Sequence, residues 1–213
     1  MRDIKVLHLE PTDVCQAACP LCVRETDPAF NKCQQHHLTI EQILKHLPDE
    51  QIAKLDKMFM CGNYGDPAAG KYTLDIYNYF RSQNPNITLG MNSNGGLQTT
   101  VWWHTLGTMF NQSKDYVVFS IDGLESTNET YRKNVKWSKL MHNVQAYIDA
   151  GGSAHWDMLV YQHNQHQVDE CEQLARDMGF TWFRAKVSKR PFTEQLKFPS
   201  GWKSANIVSS AVN

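Results

Sequence analysis

The 213-residue sequence has no long apolar run and almost no net charge, and these absences exclude several classes of protein. Its amino terminus lacks the apolar core of a signal peptide, and no charge-free segment reaches the length needed to span a bilayer. The formal net charge of −1 provides no overall field to attract nucleic acid or an anionic membrane. We therefore expect a cytoplasmic protein without a membrane partner, and nucleic acid is disfavoured as a partner.

The composition is that of one folded domain. Hydrophobic residues make up 41% and charged residues 20% of the chain, which excludes a disordered protein and allows a sizeable core. The six cysteines come without an export signal, so they indicate metal ligands and reduced thiols rather than a disulfide framework.

Three of these cysteines, Cys15, Cys19 and Cys22, have C-x3-C-x2-C spacing and follow a predicted first strand. Thiolates are ligands of soft metal centres, and such close spacing rarely arises from the packing of ordinary buried thiols. Structural zinc ions and electron-transfer clusters normally take four protein ligands. Three ligands leave one metal position open, which indicates a reactive metal centre.

A closed metal site is the alternative. Cys33 lies eleven residues after Cys22 and precedes His36, so either residue could complete a four-ligand zinc or iron–sulfur site. The chain would then be a metal-stabilised binding module without catalysis. The spacing differs from the paired C-x2-C knuckles of usual zinc ribbons, which favours the open site.

Apolar periodicity predicts strands that alternate with helices. The predicted strands cover residues 4–10, 57–61, 87–92, 116–121, 154–161 and 181–185, and the main predicted helices cover residues 40–47, 73–82, 100–110, 138–150 and 167–178. Segment 116–121 is a continuous apolar run, which predicts a strand buried on both faces. Because β–α alternation favours a parallel sheet and six units fall short of a closed barrel, we predict an α/β fold, an open partial (β/α)6 barrel with a parallel sheet.

The cysteine loop and its place after the first strand resemble those of the radical SAM enzymes. In that family the three cysteines bind a [4Fe–4S] cluster, and the fourth iron receives the amino and carboxylate groups of S-adenosylmethionine. The resemblance implies both cofactors, reductive cleavage of S-adenosylmethionine to start radical chemistry, and a reducing electron donor of the flavodoxin or ferredoxin type. The chain departs from many members at Leu21, where they carry an aromatic residue.

The resemblance also implies cofactor contacts at the carboxyl ends of the strands, where parallel α/β folds bind ligands. Tyr64-Gly65-Asp66-Pro67 resembles the family's Gly-Gly-Glu-Pro motif, which receives the methionyl amino group. Ser120 and Asp122 resemble a strand-four motif that holds ribose or carboxylate, and Arg132 lies where relatives keep a carboxylate-binding arginine. The inferred cofactor-binding residues are Tyr64, Gly65, Asp66, Pro67, Ser93, Asn94, Ser120, Asp122, Arg132 and Asn164. No catalytic residue is assigned.

The resemblance covers about residues 1–190, and residues 191–213 are predicted to form a basic and aromatic carboxyl-terminal tail. From Arg184 to Lys203 the chain carries six basic residues against one acid, Glu194, which suits an acidic peptide or nucleic acid, with a solvated surface as the alternative. No cysteine follows Cys171, so we expect the auxiliary-cluster domain of the related SPASM and twitch branch to be absent. The motifs resemble the branch that modifies peptides. We therefore expect a peptide or protein substrate, with a small metabolite as the alternative.

Overall fold

The computed structural model describes residues 4–28, 30, 35–189, 192–203 and 207–212. Within these residues, seven strands form one sheet in sequence order. They are β1 (Val6–Leu9), β2 (Lys57–Met60), β3 (Thr88–Ser93), β4 (Tyr116–Ser120), β5 (Ala154–Val160), β6 (Trp182–Val187) and β7 (Ile207–Ala211). The first six strands pair in parallel, and β7 pairs antiparallel with β6. The predicted open partial barrel is confirmed, and β7 lies in a segment that the sequence does not predict to be a strand.

Helices connect the parallel strands and pack on the outside of the sheet. They are α1 (Val23–Thr26), α2 (Ile40–Leu44), α3 (Asp49–Ile52), α4 (Thr73–Gln83), α5 (Thr100–Met109), α6 (Glu125–Tyr131), α7 (Trp137–Asp149) and α8 (Val168–Met178), with 3-10 turns at Pro67–Ala69 and Gln165–Gln167. The α2 helix begins at a capping box, because the hydroxyl of Thr39 accepts from the N–H of Gln42 and the Gln42 side chain accepts from the N–H of Thr39. None of the described helices has the length and apolarity needed to cross a bilayer.

The outer face of the sheet carries the core. Phe119 of β4 contacts Trp103 of α5 at 5.1 Å and Tyr147 of α7 at 5.7 Å between ring centroids. All three side chains are fully buried. Large aromatic side chains contribute much of the apolar area that a fold buries, so this cluster fixes α5 and α7 against the sheet.

The inner face of the sheet is only partly covered, and the prediction that β4 is buried on both faces is wrong for this face. Val117 and Phe119 are fully buried, whereas Tyr116, Val118 and Ser120 are half-buried. Side chains alternate along a strand, so the second set faces the hollow side of the barrel. An open barrel leaves that side accessible, which explains why an apolar run does not guarantee burial there.

Strand register places charged and polar side chains together on the hollow side. Ser120 pairs with Asp157, and Asp157 pairs with Arg184, so the three side chains lie in one row across β4, β5 and β6. Leu159 pairs with Lys186 one row closer to the carboxyl ends of the strands. Ser120, Asp157, Leu159 and Lys186 form the floor of the site described below, and Arg184 lies beside it.

The segment after β6 packs against the rest of the chain. The N–H of Gln162 donates to the carbonyl oxygen of Lys197 at 3.0 Å, and the N–H of Ser200 donates to Oε1 of Gln165 at 2.6 Å. Leu196 is 1% exposed. The division into a core of residues 1–190 and a tail of residues 191–213 stays a prediction, but the described part of that tail includes a buried side chain and a sheet strand.

Candidate functional site

A cavity of about 340 Å³ opens at the carboxyl ends of the parallel strands. Its walls come from the cysteine loop, from the loops after β2 and β3, and from the inner face of β4, β5 and β6. Among the residues predicted from the sequence, those that line the cavity are Cys15, Cys19, Cys22, Gly65, Asp66, Ser93, Asn94, Ser120 and Arg132. The structure thus brings the predicted metal ligands and most of the predicted cofactor-binding residues to one place.

Gly65 allows the loop after β2 to lie against the cysteine loop. The N–H of Asp66 donates to the carbonyl oxygen of Val14 at 2.8 Å. A Cβ on Gly65 would lie 2.4 Å from the carbonyl oxygen of Thr12 and 2.7 Å from the backbone nitrogen of Val14. Backbone atoms cannot move away as a flexible side chain can, so a side chain at position 65 would separate the two loops.

The carboxylate of Asp66 is engaged by groups of the protein itself. Its Oδ1 accepts from the N–H of Ala68 at 2.9 Å and from the hydroxyl of Ser93 at 2.8 Å. Its Oδ2 accepts from the backbone N–H of Asn94 at 2.8 Å and from the Asn94 side-chain amide at 2.5 Å. Burial raises the pKa of Asp66, while these hydrogen bonds oppose that shift. Asp66 therefore joins the loop after β2 to the loop after β3.

Asn94 extends this network to the first cysteine. Its Nδ2 lies 3.6 Å from Sγ of Cys15, and its Oδ1 accepts from the side-chain amide of Gln16 at 2.7 Å. Oε1 of Gln16 lies 3.8 Å from the same sulfur. Polar groups around a metal ligand fix its orientation and tune the metal. Gln16 was not among the predicted site residues, although its place between two cysteine ligands was visible in the sequence.

A buried ion pair lies beside the second cysteine. Nε of Arg132 donates to Oδ2 of Asp122 at 2.6 Å, and Oδ1 of Asp122 accepts from the N–H of Leu159 at 2.6 Å. Nη1 of Arg132 lies 4.0 Å from Sγ of Cys19. Burial raises the pKa of Asp122, and the positive charge of Arg132 opposes that shift. The ion pair holds the guanidinium of Arg132 with one end toward the cavity.

Four predicted cofactor-binding residues are not part of the cavity lining. Tyr64 is exposed and stacks on Phe30, and Pro67 begins a 3-10 turn. Asp122 lies behind Arg132. Asn164 is fully buried, and its side-chain amide donates to the carbonyl oxygens of Asp122 at 3.0 Å and Leu159 at 2.9 Å. Direct contact of these residues with a cofactor stays a prediction.

The cavity also contains charged residues that the sequence did not identify as site residues. Asp157 and Lys186 line it, and the carboxylate of Asp157 accepts from Arg184 and Lys186. Burial alone would raise the pKa of Asp157, but its hydrogen bond from Arg184 and the charge and hydrogen bond of Lys186 lower it below the usual range. The sequence predicts Arg184 and Lys186 only as part of a basic stretch that suits an acidic peptide or nucleic acid, with a solvated surface as the alternative. Their pairing with β5 is not visible in the local sequence.

The thiols of Cys15, Cys19 and Cys22 suit a cluster with an open iron position. All three are free cysteines on one cavity. Burial, with a smaller contribution from the Asp66 carboxylate, raises the pKa of Cys15 to about 12, and burial also raises the pKa of Cys19. Thiolates are the metal-binding form, so metal binding here must be coupled to the release of protons.

In the described residues, His36 does not act as the fourth ligand that a closed metal site would need. Its Nδ1 lies 3.3 Å from Oδ2 of Asp13, and the side chain is exposed. Cys33 lies outside the described residues. Within the described part of the chain, no three His, Cys, Asp or Glu side chains are grouped so as to hold a single metal ion. A cubane cluster does not need such a group, because each thiolate bonds to a different iron atom.

The family model of the Radical SAM superfamily matches residues 9–178. The chain belongs to the radical SAM superfamily. This superfamily consists of enzymes that use a [4Fe–4S] cluster and S-adenosylmethionine, which agrees with the three cysteines and the cavity that they line. A search of curated proteins found no match.

Solved structures of other radical SAM proteins share the fold. The native anSMEcpe structure with bound AdoMet and the Cp18Cys peptide has a TM-score of 0.65 at 15% identity, over 89% of this chain and 52% of that chain. Streptococcus suis SuiB bound to its precursor peptide SuiA has a TM-score of 0.66 at 12% identity, over 87% and 40%. Methylornithine synthase (PylB) has a TM-score of 0.63 at 8% identity, over 96% and 58%. This radical SAM chain thus spans about half the length of the solved structures that it matches.

Proposed function

We propose that this chain is a radical SAM enzyme that holds a [4Fe–4S] cluster on Cys15, Cys19 and Cys22 and cleaves S-adenosylmethionine reductively. The observation that carries the proposal is that all three thiols line one cavity at the carboxyl ends of the parallel strands. The cluster, when bound, supplies the electron for cleavage of the sulfonium and so starts radical chemistry. An external reducing donor of the flavodoxin or ferredoxin type would deliver that electron.

The chain's own residues would bind and orient the two cofactors. Asn94 and Gln16 contact Cys15, and Arg132 lies beside Cys19, so these polar groups would hold the cluster ligands in place. Ser120 lines the cavity and offers its hydroxyl to the polar parts of S-adenosylmethionine, and Asn94 borders the same space. The loop at Tyr64–Pro67 would present its backbone to the methionyl amino group.

Metal analysis of single variants tests the cluster. After anaerobic reconstitution with iron and sulfide, Cys15→Ala, Cys19→Ala and Cys22→Ala should each lose the cluster absorption. Cys61→Ala, which removes a fourth cysteine on the same cavity, and Cys171→Ala, which removes a buried core thiol, are the matched controls and should keep it. The electron paramagnetic resonance signal of the reduced cluster should change when S-adenosylmethionine is added.

The same experiment separates the enzyme from a metal-stabilised binding module. If Cys33→Ala lost iron as completely as Cys19→Ala, the site would be closed by a fourth protein ligand. A cluster signal that did not respond to S-adenosylmethionine would also contradict the proposed function.

A peptide or protein is the proposed substrate, with a small metabolite as the alternative. The hollow side of the sheet is accessible at its edge strands. Ile207 of β7 pairs with the cavity residue Lys186 and is 61% exposed, and Val6 of β1 is 54% exposed. An extended peptide fits such an open surface better than a small molecule does, and SuiB and anSMEcpe were both solved with peptides. Formation of 5′-deoxyadenosine by the reduced holoenzyme should rise when a peptide digest is added and should not rise with a peptide-free metabolite extract. The reverse result would favour the metabolite.

A further inference from the structure

The charged floor of the cavity, with Arg184 directly beside it, provides more hydrogen-bond donors than acceptors. Asp157 and Lys186 line the cavity, and Arg184 binds Asp157 next to that lining. Nε and Nη2 of Arg184 donate to the two oxygens of Asp157, the former at 2.7 Å, and Nζ of Lys186 donates to Oδ2 at 3.0 Å. Lysine has three N–H donors and arginine has five, whereas a carboxylate only accepts. The described contacts use one donor of Lys186 and two of Arg184, so donors on the floor remain available to a ligand.

The group of Asp157, Arg184 and Lys186 also carries an excess of positive charge. Two cations face one carboxylate, and the lowered pKa of Asp157 keeps that carboxylate ionised at neutral pH. The side chains of Arg184 and Lys186 are 40% and 34% exposed, respectively. A purely structural pair outside the sheet differs from this: the side chains of Arg81, on α4, and Asp115, in the loop before β4, are 19% and 0% exposed. The exposed cations of the floor can therefore still bind an anion.

The position of the floor indicates that an anion bound there would belong to the substrate. The cysteine loop is at the carboxyl ends of the strands, and the proposed cluster and S-adenosylmethionine would occupy that end. Asp157 lies in the middle of β5, one row below Leu159 and Lys186. A group bound to β6 there would lie two strands away from Ser120, on the hollow side along which a substrate would enter.

We propose that Lys186 and Arg184 form a carboxylate-binding site for the substrate, so that the peptide presents an Asp or Glu side chain or its carboxyl terminus to the floor of the cavity. This inference rests on the proposed function and adds the chemical class of the recognised group. Planar guanidinium and ammonium donors bind carboxylates by charge-assisted hydrogen bonds.

The test uses the reconstituted holoenzyme with S-adenosylmethionine and a displayed library of random peptides with free carboxyl termini. Compared with the input library, the peptides retained by the unaltered enzyme should be enriched severalfold in Asp and Glu. Alternatively, their retention should depend on a free terminal carboxylate. Lys186→Glu should abolish this preference. The matched control is Lys114→Glu, because Lys114 is exposed in the loop before β4, at the opposite end of the sheet. This variant should leave the preference unchanged. Lys186→Met keeps the length of the side chain without adding an acid beside Asp157, and it should weaken the preference. This second variant keeps the test valid if the Glu variant misfolds.

Several outcomes would overturn the inference. Retained peptides without an acidic preference, or an equal preference in Lys186→Glu, would show that the charged group is only structural. If Lys186→Glu instead weakened the response of the cluster signal to S-adenosylmethionine, the floor would bind the carboxylate of the cofactor and not that of the substrate. A holoenzyme that assembles its cluster and responds to S-adenosylmethionine but retains no peptide would refute the peptide assignment while leaving the proposed cofactor chemistry intact.

Discussion

Replacing Arg132 with Gln should make the cluster harder to reduce. Nη1 of Arg132 lies 4.0 Å from Sγ of Cys19, so the variant removes a fixed positive charge beside a proposed cluster ligand. Two unit charges at about 4 Å interact by roughly 4 kcal/mol at an effective dielectric constant of about 20. For a one-electron couple that energy corresponds to roughly 170 mV, which is an upper limit.

Two features of the site reduce this limit. The negative charge of Asp122, 2.6 Å from Nε of Arg132, cancels part of the field, and the added electron spreads over the whole cluster. We therefore expect the midpoint potential of Arg132→Gln to be lower by roughly 50–100 mV. The measurement is a redox titration of the reconstituted cluster, followed by electron paramagnetic resonance.

The chain offers a close control in Arg81→Gln. The side chain of Arg81 is 19% exposed and that of Arg132 is 16% exposed, and both bind a fully buried aspartate. Breaking either ion pair should cost roughly 3–5 kcal/mol of stability. Only Arg132→Gln should shift the potential. An equal shift in both variants, or none in Arg132→Gln, would refute the reasoning. If Arg132→Gln does not fold, Arg132→Gln combined with Asp122→Asn removes the unpaired buried charge, and a smaller negative shift is expected.

Three further predictions concern stability. Gly65→Ala should lower the free energy of unfolding by at least about 2–3 kcal/mol in urea titrations, because the new Cβ would meet two backbone segments; a loss below about 1 kcal/mol would show that the loops can separate. Asp66→Glu, which restores the acid of the family motif, should lower the melting temperature, since an added methylene does not fit the closed hydrogen-bond network, at a cost of roughly 1–3 kcal/mol. Burial lowers the pKa of His163 below its usual 6.5, so the unfolded chain binds more protons and stability should fall as the pH drops below 6.5. His163→Gln should make the unfolding free energy less dependent on pH between about 5 and 7, and an unchanged dependence would contradict this assignment.

Local sequence patterns were sufficient for most of the fold. The six parallel strands and the long helices follow from apolar periodicity, which depends on neighbours within a few residues. The three predicted cysteine ligands are equally local, because they fall within one loop. The glycine at position 65 was visible as well, but the structural reason for a glycine there was not. The clash that it avoids is with Thr12 and Val14, about fifty residues away in the chain.

The rest of the site depends on pairing between distant segments. The sequence shows Arg184 and Lys186 only as members of a basic stretch, and only the register of β5 with β6 places them beside Asp157. The role of Asp66 likewise depends on Ser93 and Asn94, which approach it through the pairing of β2 with β3. β7 was missed because Ile207–Ala211 is a short segment without an apolar face, and its pairing with β6 rather than its own composition makes it a strand.

The antiparallel direction of β7 determines where the described ends of the chain emerge. Residue 4 precedes β1 at the amino-terminal end of the sheet, and the N–H of Val212 donates to the carbonyl oxygen of Thr181, which precedes β6 at that same end. A parallel β7 would instead have brought residue 212 out beside the mouth of the cavity. A fluorophore or surface tether attached near either residue therefore emerges at the end opposite the cysteine loop. Protein immobilised in this way would keep the mouth of its cavity facing the solution.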